Sequence, residues 1–330
     1  MTDNGKSNIQ RLKVMYLYKI LFENTDENHK ISMPEILSEL EQYGITAGRK
    51  GIYEDIEALR TFGAEIIGTK GSNSGYYLVN RTFELSELKV LADEVSSSKF
   101  LTEKRSRELI KKLETLTNIH SAKQLQRQVY VVGRGKTQNE QTLSNVDILH
   151  RAIAEKRKIS FAYFDYDTKK HKKYRSGKRT CSPYALTFSN EQYYLVARYD
   201  KRPDLLTNFR VDRMERIDIT DEPFIKADPD FKISEYLKST FSMFSGHSEP
   251  VRLCFENSLI NAVIDRFGKD ITILSDDNEH FAIWTDVQTE QPAAFFSWLF
   301  LFGTQAEIVE PPELKQQYSA MLHKVADKYK

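Results

Sequence analysis

Three arginines and three tyrosines in the middle of the chain are suited to holding a phosphorylated aromatic ligand. A guanidinium group presents a planar fork of donors that fits phosphate oxygens. A tyrosine presents a hydroxyl group and a ring face, and this pairing serves proteins that hold single-stranded nucleic acid. For Tyr193, and for the nearby Phe161, packing in a core is the alternative explanation. The six residues are Tyr163, Arg179, Tyr193, Tyr194, Arg210 and Arg213.

Arg179 and Arg210 have an alternative role in ion pairs, with Asp200 or Asp212 as the acid. Geometry adds a condition for Arg210 and Arg213. Successive residues of a strand project to opposite sides, so positions 210 and 212 share a side that position 211 does not. Arg210 and Arg213 therefore share a surface only if a turn follows residue 210.

A second set of cations lies near the start of the chain, on a predicted helix. Between Gly44 and Gly51 the only charged residues are Arg49 and Lys50, and the acids of this segment cluster elsewhere. Positive side chains in the first turn of a helix reach base edges and phosphates in the major groove of DNA. The alternative is an ordinary small domain, because residues 1–80 carry a net charge of −2 and groove binders are usually basic.

Two helices precede these cations. Apolar residues at helical spacing predict the first helix over residues 9–22. Ser32 and Glu35 form a capping box, so the second helix covers about 33–43 and ends at Gly44. These two helices are expected to position the third, which carries the cations.

A third helix and a hairpin follow. We expect the helix to start at Thr46, with Tyr53 one turn beyond the two cations. Strands over residues 64–67 and 76–79 enclose a glycine-rich tip that carries Lys70. Two helices joined by a short turn and followed by a hairpin are typical of a winged helix-turn-helix domain. The third helix would lie in the major groove.

The remaining sequence predicts three further segments of an α+β multidomain protein. Residues 81–145 are helical and polar, and end in an extended connector over 133–145. Residues 146–220 begin with a helix at Val146 and continue as short strands, which is typical of a small β-barrel. Residues 221–330 have the predicted order β-α-β-β-α-β-α of a ferredoxin-like fold.

Composition excludes several classes of protein. The chain has 330 residues, which suggests two to three domains, and 40% of them are hydrophobic, so a sizeable core is possible. No apolar run approaches the roughly 18 residues of a membrane-spanning helix. The sequence begins without an apolar signal segment, so we expect a cytoplasmic protein. Two cysteines make neither a disulfide framework nor a zinc knuckle.

The net charge of +1 argues, taken whole, against a nucleic-acid partner. Divided among the four segments, however, the charge is −2, +4, +7 and −8. Such segregation indicates that one segment faces polyanions while another has a different role. The segment with the highest positive net charge is 146–220, and not the predicted DNA-binding segment.

Nothing in the sequence indicates an enzyme, a metal site or a cofactor. Seven histidines are scattered without metal-binding spacing, and neither cysteine has the local signature of a nucleophile. The acidic pairs Asp165/Asp167 and Asp228/Asp230 lie in polar turns and lack the glycine and glutamate of a calcium loop. We expect solvated turns there.

Several stretches together resemble one family, the bacterial WYL-domain transcriptional regulators. Residues 49–60 look like the recognition helix of these proteins, and residues 75–78 like the end of the wing. The resemblance covers residues 9 to 329, including a C-terminal extension usual in the family. The stretches that resemble the WYL signature are Ser182-Pro183-Tyr184, Tyr193-Tyr194-Leu195 and Phe209-Arg210-Val211-Asp212-Arg213-Met214.

The sequence departs from the family pattern at three positions. Tyr193 stands in place of the name-giving tryptophan. Gly51 replaces the commoner threonine or serine of the recognition helix, and Glu54 stands where many members have arginine. Because a glutamate repels phosphate, Glu54 puts the DNA-contacting set in question.

The resemblance implies an Sm-like β-barrel that senses a nucleic-acid or nucleotide-like ligand and passes the signal to a DNA-binding head, in a homodimer. A nucleic-acid-binding accessory protein that works through the barrel alone is the alternative. The predicted DNA contacts are Thr46, Arg49, Lys50, Tyr53, Arg60 and Lys70. The predicted ligand contacts are Tyr163, Arg179, Ser182, Tyr193, Tyr194, Arg198, Arg210 and Arg213.

Overall fold

The computed structural model describes residues 9–71, 74–125, 135–241, 243, 248–275, 277–289 and 292–330. The chain forms two compact units, Met1–Gln138 and Asn139–Lys330. Across the described residues, no helix is long and apolar enough to cross a membrane. The tip of the predicted wing at Ser72 and Asn73 lies outside the described residues, as does the predicted loop at 245–247.

The first unit begins with three helices around one apolar core, followed by a hairpin. Each helix turns a hydrophobic face inward, with Leu17, Ile36 and Ile52 fully buried. The hairpin strands pair antiparallel, with Ile66 opposite Leu78. The predicted elements are confirmed, while their name, winged helix-turn-helix, stays a prediction. The elements are α1 (Lys13–Asn24), α2 (Met33–Gln42), α3 (Arg49–Phe62), β1 (Ile66–Thr69) and β2 (Gly75–Leu78).

The predicted capping box starts α2. The hydroxyl of Ser32 accepts a hydrogen bond from the backbone N–H of Glu35, and the Ser32 N–H donates to the Glu35 carboxylate at 2.7 Å. The hydrogen bond from the Ser32 side chain lowers the pKa of Glu35. Two of the backbone donors that a helix leaves open are thereby satisfied.

The start predicted for the third helix was wrong. The helix begins at Arg49, with Gly48 in extended conformation at the N-cap and no side-chain cap. Buried Ile45 closes α2 through its N–H to the Leu40 carbonyl, so the chain runs extended before another helix can begin. Thr46 is exposed in this extended link, and its carbonyl accepts a hydrogen bond from Gln10.

In the described residues of the first unit, three more helices follow the hairpin, within the segment predicted to be helical. The last of them has seven residues and one buried side chain, Leu125, so its periodicity is too short to detect in the sequence. The first two residues of the predicted connector, Gly133 and Arg134, lie outside the described residues. A later residue of the connector, Lys136, packs against the helices and donates to the Ser98 carbonyl at 3.0 Å and to the Ser106 hydroxyl at 2.8 Å. The helices are α4 (Leu85–Ser97), α5 (Glu103–Glu114) and α6 (Ile119–Leu125).

A curled antiparallel sheet follows helix α7 (Thr142–Ala154), which begins four residues before the predicted Val146. The strand order is β4-β3-β5-β6-β7, and β8 also pairs with β3. Strands β7 and β8 do not pair with each other, so the sheet is a half-barrel. Phe161 and Leu195 lie in its core. The strands are β3 (Arg157–Tyr166), β4 (Lys172–Tyr174), β5 (Arg179–Ser189), β6 (Gln192–Tyr199), β7 (Leu206–Arg210) and β8 (Met214–Pro223).

The second sheet has antiparallel order β10-β11-β9-β12 and three helices in the predicted alternation. Its core is aromatic, with Phe255 and Phe295 buried. An unpredicted helix, α8 (Ile233–Ser239), precedes it. The ferredoxin-like name remains a prediction. The elements are β9 (Ser248–Glu256), α9 (Ile260–Phe267), β10 (Ile273–Ser275), β11 (His280–Gln288), α10 (Ala293–Phe300), β12 (Ala306–Glu310) and α11 (Pro312–Ala326).

We expect Ser32→Ala to destabilise the first unit by about 1 kcal/mol, because it removes the cap of α2. Urea unfolding followed by circular dichroism measures the change. The matched control is Ser38→Ala, an exposed serine within the same helix, which should be neutral or slightly stabilising. Both tryptophans, Trp284 and Trp298, lie in the second unit, so their fluorescence should not change with either variant. Equal effects of the two serine variants would contradict the role of the cap.

Candidate functional site

Tyr163 is the centre of the arginine cluster in the half-barrel. The residue is 7% exposed, on β3, and its ring meets those of Phe161 and Phe209 edge to face. Burial raises the pKa of the Tyr163 hydroxyl, so the group stays protonated. This hydroxyl accepts a hydrogen bond from the backbone N–H of Arg210 at 3.2 Å. The tyrosine therefore joins β3 to the end of β7.

The turn that the Arg210–Arg213 pair requires is present. A 3₁₀ turn over Val211–Arg213 follows β7, and Val211 enters the core while the two arginines remain partly exposed. Arg210 donates two hydrogen bonds to Asp212, at 3.0 and 2.8 Å. Burial lowers the pKa of Arg210, but the bonds to Asp212 outweigh that effect and raise it overall. Arg210 therefore forms an ion pair with Asp212, which was the alternative to its role in ligand binding.

Asp165 lies between two arginines. Its carboxylate accepts from Arg175 through one oxygen and from Arg213 through the other, the latter at 3.0 Å. The hydrogen bond from Arg175 is the largest cause of the lowered pKa of Asp165. The Arg175 guanidinium also lies 5.6 Å from the centre of the Tyr163 ring. Asp165 thereby gathers two guanidinium groups on the same side of the sheet.

Arg179 is the buried arginine that has no acidic partner. It is 9% exposed at the start of β5, opposite Phe161 of β3, and its guanidinium lies 5.7 Å from the centre of the Tyr163 ring. Its Nη1 is shielded from solvent and has no hydrogen-bond partner among the described residues. Neither Asp200 nor Asp212 pairs with it, since Lys158 holds the first and Arg210 the second.

The cluster carries excess positive charge. Four arginines face two aspartates, which gives a formal net charge of 4 − 2 = +2. Tyr194, which lies opposite Arg210 on β6, adds a second buried phenol whose pKa is raised by burial. The arrangement offers guanidinium donors and aromatic rings to an anion. The members of this arginine cluster are Tyr163, Asp165, Arg175, Arg179, Tyr194, Arg210, Asp212 and Arg213.

Three predicted ligand residues lie away from the cluster, namely Ser182, Arg198 and Tyr193. Ser182 is buried, and its hydroxyl accepts from the Ile225 N–H at 2.9 Å, which holds the chain after β8. Arg198 stands opposite Ser182 on β6 and lines a separate cavity of about 320 Å³ with Tyr184 and Phe231. The Nε of Arg198 is buried and lacks a hydrogen-bond partner among the described residues. The contact roles of Ser182 and Arg198 stay predictions.

Tyr193 is not brought into the cluster. It points to the side of β6 opposite Tyr194, and its ring lies 4.9 Å from that of Phe188. The core-packing alternative holds fully for Phe161, which is 0% exposed. Tyr193 is half-buried against an exposed neighbour.

Sequence reasoning missed Arg175 and Asp165 as members of the cluster. Asp165 lies on β3 and not in the solvated turn expected for it, and Arg175 is not among the predicted ligand contacts. The available signal was strand alternation, because positions 163 and 165 share one side of β3. The pairing of β4 with β3, which brings Arg175 to the same place, is decided by the tertiary structure.

The first turn of α3 presents the predicted DNA-contacting cations to solvent. Arg49, Lys50 and Tyr53 are all exposed, and Tyr53 is 49% accessible. Residues 49 and 53 stand one turn apart on one side of the helix. Lys70 is exposed directly after β1. All four side chains face solvent, and that of Tyr53 also shares a hydrogen bond with the side chain of Tyr76 on the hairpin.

Arg60 has a structural role. Its guanidinium donates two hydrogen bonds to the Ile66 carbonyl, at 2.9 and 2.6 Å, and one to Glu57. These bonds tie the end of α3 to the first strand of the hairpin. We therefore interpret Arg60 as a positioning residue.

Gly51 lies next to an ion pair between α1 and α3. The ammonium of Lys13 bonds Asp55 at 2.8 Å, and a Cβ atom on Gly51 would lie 3.2 Å from that nitrogen. A larger side chain would crowd the Lys13–Asp55 pair, which joins α1 to α3. Glu54 is exposed beside Lys50, so it remains an obstacle to phosphate on that side of the helix.

Comparison with known proteins identifies two domains. Residues 144–219 match the WYL domain, which spans α7 to β8, and residues 247–326 match the WCX domain, which spans the second sheet. The resemblance to WYL proteins is thereby confirmed for this part of the chain. No curated protein matches the chain.

Two solved structures are similar at low identity. One is proteasome accessory factor B/C (PafBC) of Arthrobacter aurescens, at 16% identity and TM-score 0.27, covering 98% of this chain and 47% of that one. This chain therefore spans less than half the length of that protein. The other is a CRISPR Cas-related protein, at 12% identity and TM-score 0.24, covering 98% of this chain and 91% of that one.

We expect Arg179→Met to maintain or raise the free energy of unfolding of the second unit, by roughly 0–2 kcal/mol, because it removes a buried charge that has no partner. The matched control is Arg210→Met, which leaves Asp212 buried and unpaired and should cost about 1–3 kcal/mol. Tryptophan fluorescence during urea unfolding measures both. A larger loss for Arg179→Met than for Arg210→Met would contradict this account of the cluster.

Proposed function

We propose that this protein is a ligand-responsive, DNA-binding transcriptional regulator. Helix α3 and the β1–β2 hairpin contact duplex DNA, and the half-barrel senses a nucleic-acid or nucleotide-like anion. The observation that carries the proposal is the buried Nη1 of Arg179, which has no hydrogen-bond partner among the described residues and lies in the part of the chain that matches the WYL domain. A buried cation without a counter-charge is costly, and an anionic ligand would supply that charge.

The donor capacity of the arginine cluster supports a phosphate ligand. Each guanidinium has five N–H donors, and Asp212 uses only two of those on Arg210. Among the described residues, no acid forms an ion pair with Arg179, and its Nη1 has no hydrogen-bond partner. Tyr163 and Tyr194 lie beside these donors, but their rings are buried, so the guanidinium groups are the part of the cluster that would contact a ligand. The phosphate groups of a nucleotide fit such donors.

Regulation requires that the ligand distinguish two states of the protein. An anion bound at the cluster changes DNA affinity only if it binds the DNA-competent state and the DNA-incompetent state with different affinity. We propose a homodimer, since two-fold symmetric DNA sites are matched by dimers. The charge of −8 on residues 221–330 complements that of +7 on residues 146–220 and would favour docking between these segments.

A second candidate function is a nucleic-acid-binding accessory protein that works through the half-barrel alone. The net charge of −2 on residues 1–80 favours it over a dedicated DNA reader. Under this alternative, Arg210→Ala abolishes oligonucleotide binding, while changes in α3 have no effect. Under both, we propose that the protein is not an enzyme, and incubation with labelled oligonucleotides and a divalent metal should yield no products.

We expect Arg49→Ala/Lys50→Ala to weaken binding to the duplex DNA upstream of the protein's own gene by more than ~1 kcal/mol. Loss of two phosphate-contacting cations should also reduce the slope of log K against log salt by about 2. Fluorescence anisotropy over a salt series measures both. The control is Lys111→Ala/Lys112→Ala, which removes two exposed charges from α5. Equal losses in the two variants would refute the role of α3.

We expect single-stranded oligothymidylate or mononucleotides to raise the melting temperature of the wild type but not of Arg179→Met. The substitution removes the unpaired guanidinium while preserving the fold. Arg202→Met, which removes an exposed arginine from the same unit, should keep the full response. A normal response of Arg179→Met to these probes would exclude the cluster as their site.

A further inference from the structure

The hairpin formed by β3 and β4 is a cationic surface next to the arginine cluster, with which it shares Arg175. We call residues 166–178 the basic hairpin. Strand β4 is an edge strand, held by β3 alone, with Phe164 opposite Tyr174 and Tyr166 opposite Lys172. All thirteen of its residues are exposed. Its cationic and titratable basic residues are Lys169, Lys170, His171, Lys172, Lys173, Arg175 and Lys178.

Ion pairs divide these cations into two groups. Lys172, Arg175 and Lys178 each bond an acid, respectively Glu215, Asp165 and Asp218. The ammonium groups of the other three have no acid within 4.0 Å in the described part of the chain, and these three are Lys169, Lys170 and Lys173. The paired cations anchor the hairpin, and the unpaired ones are left for a partner.

The one acid within the hairpin does not neutralise these lysines. Asp167 accepts hydrogen bonds from the backbone N–H groups of Lys169 and His171, both at 2.8 Å. The Asp167 carboxylate therefore stabilises the turn through these backbone hydrogen bonds. The result is a loop whose backbone is fixed by its own aspartate while its lysine side chains remain in solvent.

The basic hairpin also packs against a buried phenylalanine of β3. Phe164 is 1% exposed, and the rings of Tyr166 and Tyr174 pack against it edge to face at 5.5 and 5.9 Å. Lys172 covers the Phe164 ring at 4.7 Å, and the Tyr174 hydroxyl bonds Glu215. This packing keeps the loop at a defined place instead of leaving a solvated tail.

Turn geometry does not explain the lysine at position 170. Its φ of 65° is left-handed, a conformation in which glycine or asparagine costs less than lysine. The backbone conformation therefore does not require a lysine at this position.

We propose that the basic hairpin binds the phosphate groups of duplex DNA, independently of sequence and in addition to the contacts of α3. This inference rests on the proposed function. DNA readers obtain much of their affinity from phosphate contacts, which carry no sequence information. Residues 1–80 have a net charge of −2 and are poor in such contacts, whereas Lys169, Lys170 and Lys173 offer three.

The chemistry of the hairpin favours duplex DNA over a single strand. Ammonium groups are point charges that suit phosphates, and none of the three unpaired groups is an amide or guanidinium fork that reads bases. Single-strand binding relies on bases that stack on open rings. The two hairpin tyrosines pack against Phe164, and the Tyr174 hydroxyl donates to Glu215. Their rings are 46% and 47% exposed, so the test includes single-stranded DNA.

The test compares Lys169→Gln/Lys170→Gly/Lys173→Gln with the control Lys201→Gln/Arg202→Gln, which removes exposed charge from the β6–β7 turn. The triple variant should bind duplex of random sequence about tenfold more weakly or worse, and its salt slope should fall by about 2–3. The control should keep the wild-type slope within about 1. An unchanged slope, or a loss confined to single-stranded DNA, would overturn the proposal.

Lys170→Gly alone separates binding from folding. It relieves the left-handed strain, so the melting temperature should stay equal or rise while duplex affinity falls. A variant that becomes more stable and binds duplex as tightly as wild type refutes a contact at Lys170. In parallel, Arg49→Ala/Lys50→Ala isolates the proposed function: if that variant binds normally while the triple variant does not, α3 fails as the reader and the basic hairpin stands.

Discussion

The pairing of positive charge with acids organises the half-barrel. A guanidinium that becomes buried loses contacts with water, and acids, carbonyls or rings must replace them. The partly buried Arg210 pairs with Asp212, while the partly buried Arg213 and the exposed Arg175 share Asp165. Among the described residues, the Arg179 guanidinium lies 5.7 Å from the centre of the Tyr163 ring, and its buried Nη1 has no hydrogen-bond partner. The cluster is therefore held together by ion pairs, and one of its arginines is left without an acid.

The strand arrangement follows from this requirement. Tyr163 and Asp165 occupy one side of β3, so the register of β3 with its neighbours decides which arginines they meet. The 3₁₀ turn after β7 matters equally, because it replaces strand alternation at the point where Arg210 and Arg213 must share a surface. A shift of one residue would turn Tyr163 and Asp165 to the other side of the sheet.

Charge is also divided between structure and binding elsewhere in the chain. In the first unit Arg60 ties α3 to β1, and Lys13 ties α1 to α3, while Arg49 and Lys50 remain exposed. In the basic hairpin, paired cations hold the strand that displays the unpaired ones. Net charge alone would count all of these residues equally. The pairing pattern shows which cations are available, and it explains how a nearly neutral chain can present separate cationic surfaces.

The sequence by itself determined the local elements and the types of functional residue. The capping box at Ser32, the helical periodicities and the strand alternation predict structure correctly because they depend on neighbours close in the chain. The short helices α6 and α8 were not predicted, because seven residues are too few to show a helical periodicity. The membership of the arginine cluster was only partly predictable: Arg198 and Tyr193 resemble Arg179 and Tyr194 in type but project elsewhere. Only the tertiary structure decided which arginine lacks an acid, because ion pairing depends on residues that lie tens of positions apart and meet through strand register and one turn.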